Sequence, residues 1–361
     1  MINFNIIFSF ALAYLITLSV IPLVRVLAFK MNAVDVPKDT RRMHKKPVPR
    51  WGGIGIFAGF IVSVICFTEV IDTQLLSILA GSTIIAITGV LDDKYALKPV
   101  YKLIGQCLAA AIVIYFGVRI NFFTNPLPFG DSFINLNWLS IPVTFIWIVI
   151  MTNAINLIDG LDGLAANISG IGALALLMIS LVLGRFDMAA ILAAVSGACF
   201  GFLPHNSHPA KIFMGDSGAL FLGFILSTLS IQGFFKGYAA IAFIIPIVVL
   251  ALPIFDTSFA ILRRLYKRQG IMSADRGHLH HRLIDMGFSH REAVQLMTAY
   301  SALFAITAIV IMEKGLNRAV VLILALLIFT VSIRVYRKNK NIASEYIDEL
   351  KESRNDENEE N

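Results

Sequence analysis

Charge is scarce in this sequence. Asp, Glu, Lys and Arg make up 15% of its 361 residues, against 57% apolar residues and a mean hydropathy of +0.76. A water-soluble domain carries about 25% charged residues, so a soluble globular chain is excluded. Cysteine is nearly absent too. Cys66, Cys107 and Cys199 stand alone in apolar runs without Cys-x-x-Cys spacing, which leaves no disulfide framework and makes them small packing residues. No internal repeat is visible, and the short alternating strands of an outer-membrane barrel are missing. The first apolar run has no basic leader and no small-residue cleavage site, so it reads as a retained span.

What is present is a series of apolar runs of about 17–25 residues, the length a helix needs to cross a bilayer. They cover residues 3–27, 51–68, 75–91, 99–118, 138–157, 163–183, 188–204, 214–231, 238–262, 294–312 and 317–335. The expected fold is an all-α polytopic membrane protein of about eleven transmembrane helices. It comprises a transmembrane domain over residues 1–340 and an acidic, disordered tail over 341–361. Basic residues crowd the loop after the first run (Lys30 to Arg50) and the loop after the ninth (Arg263 to Arg291). The positive-inside rule then puts the N-terminus outside and the C-terminus in the cytoplasm. The net charge of +6 is a topology signal of this kind. It calls for no nucleic-acid partner.

With that topology every conspicuous polar motif falls on the cytoplasmic side. Asp92-Asp93 ends the third run, and adjacent carboxylates repel unless a cation or proton holds them. Lys102 sits inside the start of an apolar run, where it either meets an anion or snorkels to the surface. Asn156, Asp159 and Asp162 recur at three-residue spacing, one face if the helix continues, although either aspartate alone also suits a helix cap. Asp216 enters a helix N-terminus between two glycines, with Asn206, Lys211 and Phe213 upstream, which suits a metal-bound phosphate. His278, His280 and His281 lie in the large basic loop without the cysteines or carboxylates of a zinc site. Phosphate or sugar contacts are the better reading for them. Asp35, Arg41, Arg42, His44 and the Trp51-Gly52-Gly53 turn form a further candidate wall. Asp256, preceded by Pro246 and Pro253, is the one acid well inside a run, and the prolines are expected to bend that helix. Carboxylates that hold Mg²⁺, beside basic groups that offset phosphoryl charge, suit phosphoryl transfer at a membrane surface.

Taken in order, Asp92-Asp93, Asn156-Leu-Ile-Asp159-Gly-Leu161-Asp162-Gly163, Phe213-Met-Gly-Asp216-Ser-Gly218 and His278-Leu-His280-His281 resemble the motifs of the polyprenyl-phosphate N-acetylhexosamine-1-phosphate transferase family. The resemblance runs from about residue 35 to 285. It implies a multi-pass enzyme of the bacterial plasma membrane with a cytoplasmic active site. The lipid phosphate of undecaprenyl phosphate attacks the β-phosphorus of a UDP-sugar, and UMP leaves. It implies Mg²⁺, with Mn²⁺ as a substitute, held by Asp216 with Asp93 beside it. It gives catalytic roles to Asp92, Asp93, Asp159 and Lys102, and substrate contacts to Asn156, Leu161, Asp162, Asn206, Phe213, Arg263, Arg264, His44, His278, His280 and His281. The His-x-His-His spelling resembles the branch that uses UDP-GlcNAc in teichoic-acid or O-antigen synthesis. The pentapeptide-sugar branch reads three consecutive histidines. The expected partners are UDP-GlcNAc, undecaprenyl phosphate and the bilayer, with a homodimer also compatible. A non-catalytic transporter is the reading from another class, and it sits badly with acids at helix ends instead of mid-span.

Overall fold

A computed structural model of the chain describes residues 4–37, 46–124, 133–234, 244–270, 277–314 and residue 330. His44, Arg41, Arg42, the run at 317–335 apart from residue 330, and the acidic tail lie outside the described residues. The architecture is helical, in line with the all-α expectation. Helices α1 (Phe4–Lys30), α2 (Gly52–Phe67), α3 (Thr73–Tyr95), α4 (Pro99–Tyr115), α5 (Ser140–Ile158), α6 (Leu164–Val182), α7 (Phe186–Asn206) and α8 (Gly215–Phe234) follow the apolar runs. Then come α9 (Ile244–Val249), α10 (Ala251–Tyr266), α11 (Leu279–Asp285) and α12 (His290–Lys314). Among the described residues, six helices are long and apolar enough to cross a membrane, and α2 and α4 are shorter apolar ones. A 3₁₀ turn (Asn137–Leu139) leads into α5, and two small antiparallel pairs are present: β1 (Val34–Asp35) with β2 (Val48–Pro49), and β3 (Phe122–Thr124) with β4 (Phe133–Asn135).

Burial is arranged for a lipid solvent. Phe4, Ile7, Phe8, Leu15, Leu23 and Val26 on α1 are exposed, an apolar face that water would not tolerate over such an area. The interior is occupied by α8, on which Ala219, Leu220, Phe221, Phe224, Ile225 and Leu229 are all buried. Apolar side chains give no preference for protein over lipid, so helix contacts here rely on small residues that let backbones meet. Gly53 abuts the backbone of Gly218, Gly89 that of Ser217, and Gly223 that of Thr152, so a Cβ at any of them would collide with main chain. These contacts set α8 against α2, α3 and α5. The cysteines are unpaired, with Cys199 buried as a packing residue, but Cys66 exposed among the lipid-facing side chains.

The ninth run differs from the expected single bent helix. It is broken at Leu250 into α9 and α10. Pro253 has no N–H to return to the Val249 carbonyl and its ring crowds that carbonyl, so the helix stops and restarts there. The Asn156–Asp162 stripe also departs from expectation, because α5 ends at Ile158 and the chain turns before α6. Neither aspartate caps α6. Gly163 takes that place at φ +79, a conformation that favours glycine.

Candidate active site

Three helix ends converge on Lys102. Its Nζ donates to Asp92 Oδ2 at 2.9 Å and to Asp216 Oδ2 at 2.7 Å, linking the first turn of α4 to the last turn of α3 and the first turn of α8. Asn156, at the end of α5, donates from Nδ2 to the other oxygen of Asp216 at 3.1 Å. Lys102 therefore does not snorkel away; it is the cation between two carboxylates that would otherwise repel. The side chains of Lys102 and Asp216 keep about a quarter of their surface exposed, so the cluster is reachable by a substrate.

Adjacent in sequence, Asp92 and Asp93 have separate tasks. Asp93 turns to the N-terminus of α8, where its Oδ1 accepts from Asp216 N at 2.8 Å and its Oδ2 from Ser217 N at 3.1 Å. The expectation that those N–H groups face an outside anion is thus corrected: a carboxylate from α3 satisfies them and complements the helix dipole. Gly215, at φ +70, leaves room for this, since a side chain there would strike the Asp93 carboxylate and the Arg50 carbonyl. The approach to α8 is pinned from the other side. Phe213 N donates to Pro49 O, and Gly52 N and Gly53 N donate to Phe213 O and Met214 O. Asp35 of the proposed wall holds Arg50 by an ion pair at 3.0 Å, and Trp51 donates from Nε1 to Val90 O.

Asp159 follows α5 directly. Burial, the Asp216 carboxylate and then the Asp162 carboxylate raise its pKa to about 7. It lies within electrostatic reach of both neighbours and joins two clusters. The second is centred on Asp162, whose Oδ2 accepts from His208 Nδ1 at 2.7 Å and from Ala210 N at 3.1 Å. The backbone N–H of Asp162 donates to His290 Nε2 at 2.9 Å. Neither His208 nor His290 was singled out from sequence. His290 had a signal: Ser289-His290-Arg291-Glu292 is a capping box, with Ser289 N donating to Glu292 Oε2 at 2.8 Å and Glu292 N donating to Ser289 Oγ at 3.3 Å. That box fixes His290 at the first turn of α12.

The histidine loop docks on the same turn. His278 donates from Nδ1 to Asp256 Oδ2 at 2.8 Å, and Leu279 N donates to Asp256 Oδ1 at 2.7 Å. The stray acid of the ninth run is thus the anchor of α11. His280, almost wholly buried, packs on Gly160, where no side chain would fit. Burial and then the neighbouring His281 push its pKa down to about 4, so the ring is neutral near pH 7. The His280 and His281 rings lie 4.2 Å apart. Arg263 covers Gly277, and Arg264 is buried.

Two further expected contact residues are buried. Leu161 packs in the apolar core. Asn206 is buried and ties loops together: its Oδ1 accepts from Gly163 N at 2.9 Å and its Nδ2 donates to Ile212 O at 2.9 Å. It sets the mutual position of the α5–α6 turn and the α7–α8 loop.

Over 325 residues, covering 90% of each chain, the sequence is 40% identical to a probable undecaprenyl-phosphate N-acetylglucosaminyl 1-phosphate transferase of Bacillus subtilis. The chain belongs to the polyprenyl-phosphate N-acetylhexosamine-1-phosphate transferase family. The sequence profile of glycosyl transferase family 4 matches residues 75–234, which hold the α3, α5 and α8 parts of this transferase's site. A decaprenyl-phosphate N-acetylglucosaminephosphotransferase of Mycolicibacterium smegmatis is 34% identical over 79% of this chain and 77% of its own. A phospho-N-acetylmuramoyl-pentapeptide-transferase of Halalkalibacterium halodurans is 29% identical over 84% of this chain and 95% of its own. The family is therefore one of multi-pass membrane transferases, and both of its branches are represented among the relatives.

Proposed function

We propose that the protein transfers N-acetylglucosamine 1-phosphate from UDP-GlcNAc to undecaprenyl phosphate, releasing UMP and starting a surface polymer such as teichoic acid. The observation that carries the reading is Lys102 held between Asp92 and Asp216 where three helices end. That is an all-oxygen carboxylate cluster with a built-in cation, open to solvent at the edge of an apolar bundle. The 40% identity to the Bacillus subtilis relative supports the GlcNAc branch over the more distant pentapeptide branch. In this reading the bundle has about eleven spans, as span length and loop charge suggest, and its site faces the cytoplasm.

The donor set suits Mg²⁺, a hard ion that takes oxygen ligands and binds through one or two carboxylates plus substrate phosphates. Asp216 is the proposed ligand, with Asp92 beside it. Asp93 spends both oxygens on α8 and serves to aim Asp216. When bound, the ion would offset charge on the phosphoryl oxygens. The protein's own groups do the rest. Asp92 orients the lipid phosphate, Lys102 pairs with phosphate oxygens, and Asn156 holds Asp216 in register. Asp159 and Asp162 line the nucleotide side, Phe213 offers a face to the base, and the His278–His281 helix with Arg263 meets the sugar diphosphate.

The test uses purified protein in detergent with undecaprenyl phosphate, MgCl₂ and sugar-labelled UDP-GlcNAc, and a parallel tube with UDP-MurNAc-pentapeptide. Label entering the organic phase from UDP-GlcNAc alone, and abolished by EDTA, is the expected result. Transfer only from the pentapeptide donor would overturn the branch. Silence in both tubes with folded protein would favour transport.

A further inference from the structure

The Asp162 cluster has a chemistry that the carboxylate–lysine cluster lacks. Asp162 Oδ2, His208 Nδ1 and a ring nitrogen of His290 lie within 4.8 Å of one another. They come from the α5–α6 turn, the α7–α8 loop and the first turn of α12, so residues far apart in sequence converge on one point. The two imidazoles stack with centroids 4.2 Å apart and planes at 23°, presenting nitrogens to the same carboxylate. All three side chains are partly or largely buried, at 15% exposure for Asp162, 34% for His208 and 11% for His290.

We propose that Asp162, His208 and His290 form a binding site for a transition-metal ion of the zinc class, separate from the all-oxygen cluster around Asp216. Imidazole nitrogens with one carboxylate suit Zn²⁺ and its neighbours, whereas Mg²⁺ prefers oxygen. Two histidines and one carboxylate leave a fourth tetrahedral position to water.

The geometry is close to what such an ion needs. Zinc bonds of about 2.0–2.2 Å in a tetrahedron set ligand atoms about 3.3 Å apart. The present separations from Asp162 Oδ2 are 2.7 Å to His208 and 3.9 Å to His290, so each differs by about half an ångström and in opposite senses. The ion would lie in the plane of each imidazole, at the ring edges that face Asp162, so binding turns the rings out of their stack as one contact opens and the other closes. His208 Nδ1 is paired with Asp162 Oδ2 at 2.7 Å. On binding, any proton on Nδ1 passes to solvent and the neutral ring carries one on Nε2, leaving the Nδ1 lone pair for the ion. His290 Nε2 carries no proton, since it accepts from the Asp162 backbone N–H, and that hydrogen bond must be given up for the lone pair to reach the ion. The capping box at Ser289 and Glu292 keeps that ring in place without metal.

The experiment is a titration of chelator-treated, detergent-purified full-length protein with Co²⁺, read by visible absorbance, followed by competition with Zn²⁺ and with excess Mg²⁺. One equivalent of tetrahedral Co²⁺, displaced by Zn²⁺ and not by Mg²⁺, is expected. His208→Asn and His290→Asn each weaken binding at least about tenfold, while Asp216→Asn leaves it unchanged. His208→Cys retains the site and adds a thiolate-to-cobalt charge-transfer band. No tetrahedral spectrum in the wild type, or one that survives both histidine-to-asparagine substitutions, would overturn the proposal. If either asparagine variant elutes as aggregate, the His208→Cys spectrum decides, and absence of the thiolate band counts against the site. None of these readouts depends on the proposed reaction.

Discussion

The two halves of the candidate site are built on different principles. On the α8 side every polar group sits at the end of a long apolar helix, and close backbone contacts at Gly53, Gly89 and Gly215 hold those ends together. On the histidine side the groups belong to loops and short helices, held by hydrogen bonds between side chains: Asp256 with His278, and Asp162 with His208. The first half has its geometry fixed by packing that lipid cannot loosen. The second depends on a few polar contacts in loops, the places where local opening costs least. In the proposed reaction the α8 side would hold the reacting phosphates and the histidine side would adapt to the sugar nucleotide.

Four substitutions test that division, from severe to mild. Asp216→Asn and Asp92→Asn each remove a charge from the packed half and are expected to cut turnover by about 100-fold or more, with folded protein still recovered in the membrane. Near-normal kcat in either would break the comparison at its strongest point. Asp256→Asn loosens α11 without touching the carboxylate cluster. It should raise KM for the UDP-sugar by about tenfold while sparing KM for the lipid phosphate, as initial-rate kinetics with each substrate varied would show. His281→Ala is expected to act in the same direction and more weakly. A larger loss of lipid affinity would place the histidines on the wrong substrate.

The smallest effect is a pH dependence. Burial holds His280 at a pKa of about 4, below the ordinary histidine value of 6.5, so the unfolded chain takes up the proton first. Stability is then full above pH 6.5 and falls as the pH drops toward 4. Thermal unfolding in detergent across that window should show the loss, and His280→Gln should flatten it.

The long apolar helices were legible because bilayer thickness imposes a length that composition reveals. The chemistry-bearing residues were legible because polar groups at such helix ends are few. What sequence did not reveal was division of labour. Asp92 and Asp93 are identical in type and adjacent, and only the position of α8 sends one to Lys102 and the other to a helix N-terminus. The three-residue spacing of Asn156, Asp159 and Asp162 suggested a shared face, but the helix ends between the first and second of them. Leu161, expected at the substrate by resemblance, is packed in the core. His208 and His290 were missed because their common partner, Asp162, lies 46 and 128 residues away.

Lys102 gives the resting enzyme a property of its own. Two carboxylates that would push apart are kept at bonding distance by an ammonium tethered to the scaffold, so the pocket holds its shape with no substrate bound. Were a divalent ion held at Asp216, as proposed, it would compete with a cation already in place, and Lys102, tethered beside it, would be left to pair with phosphate oxygens.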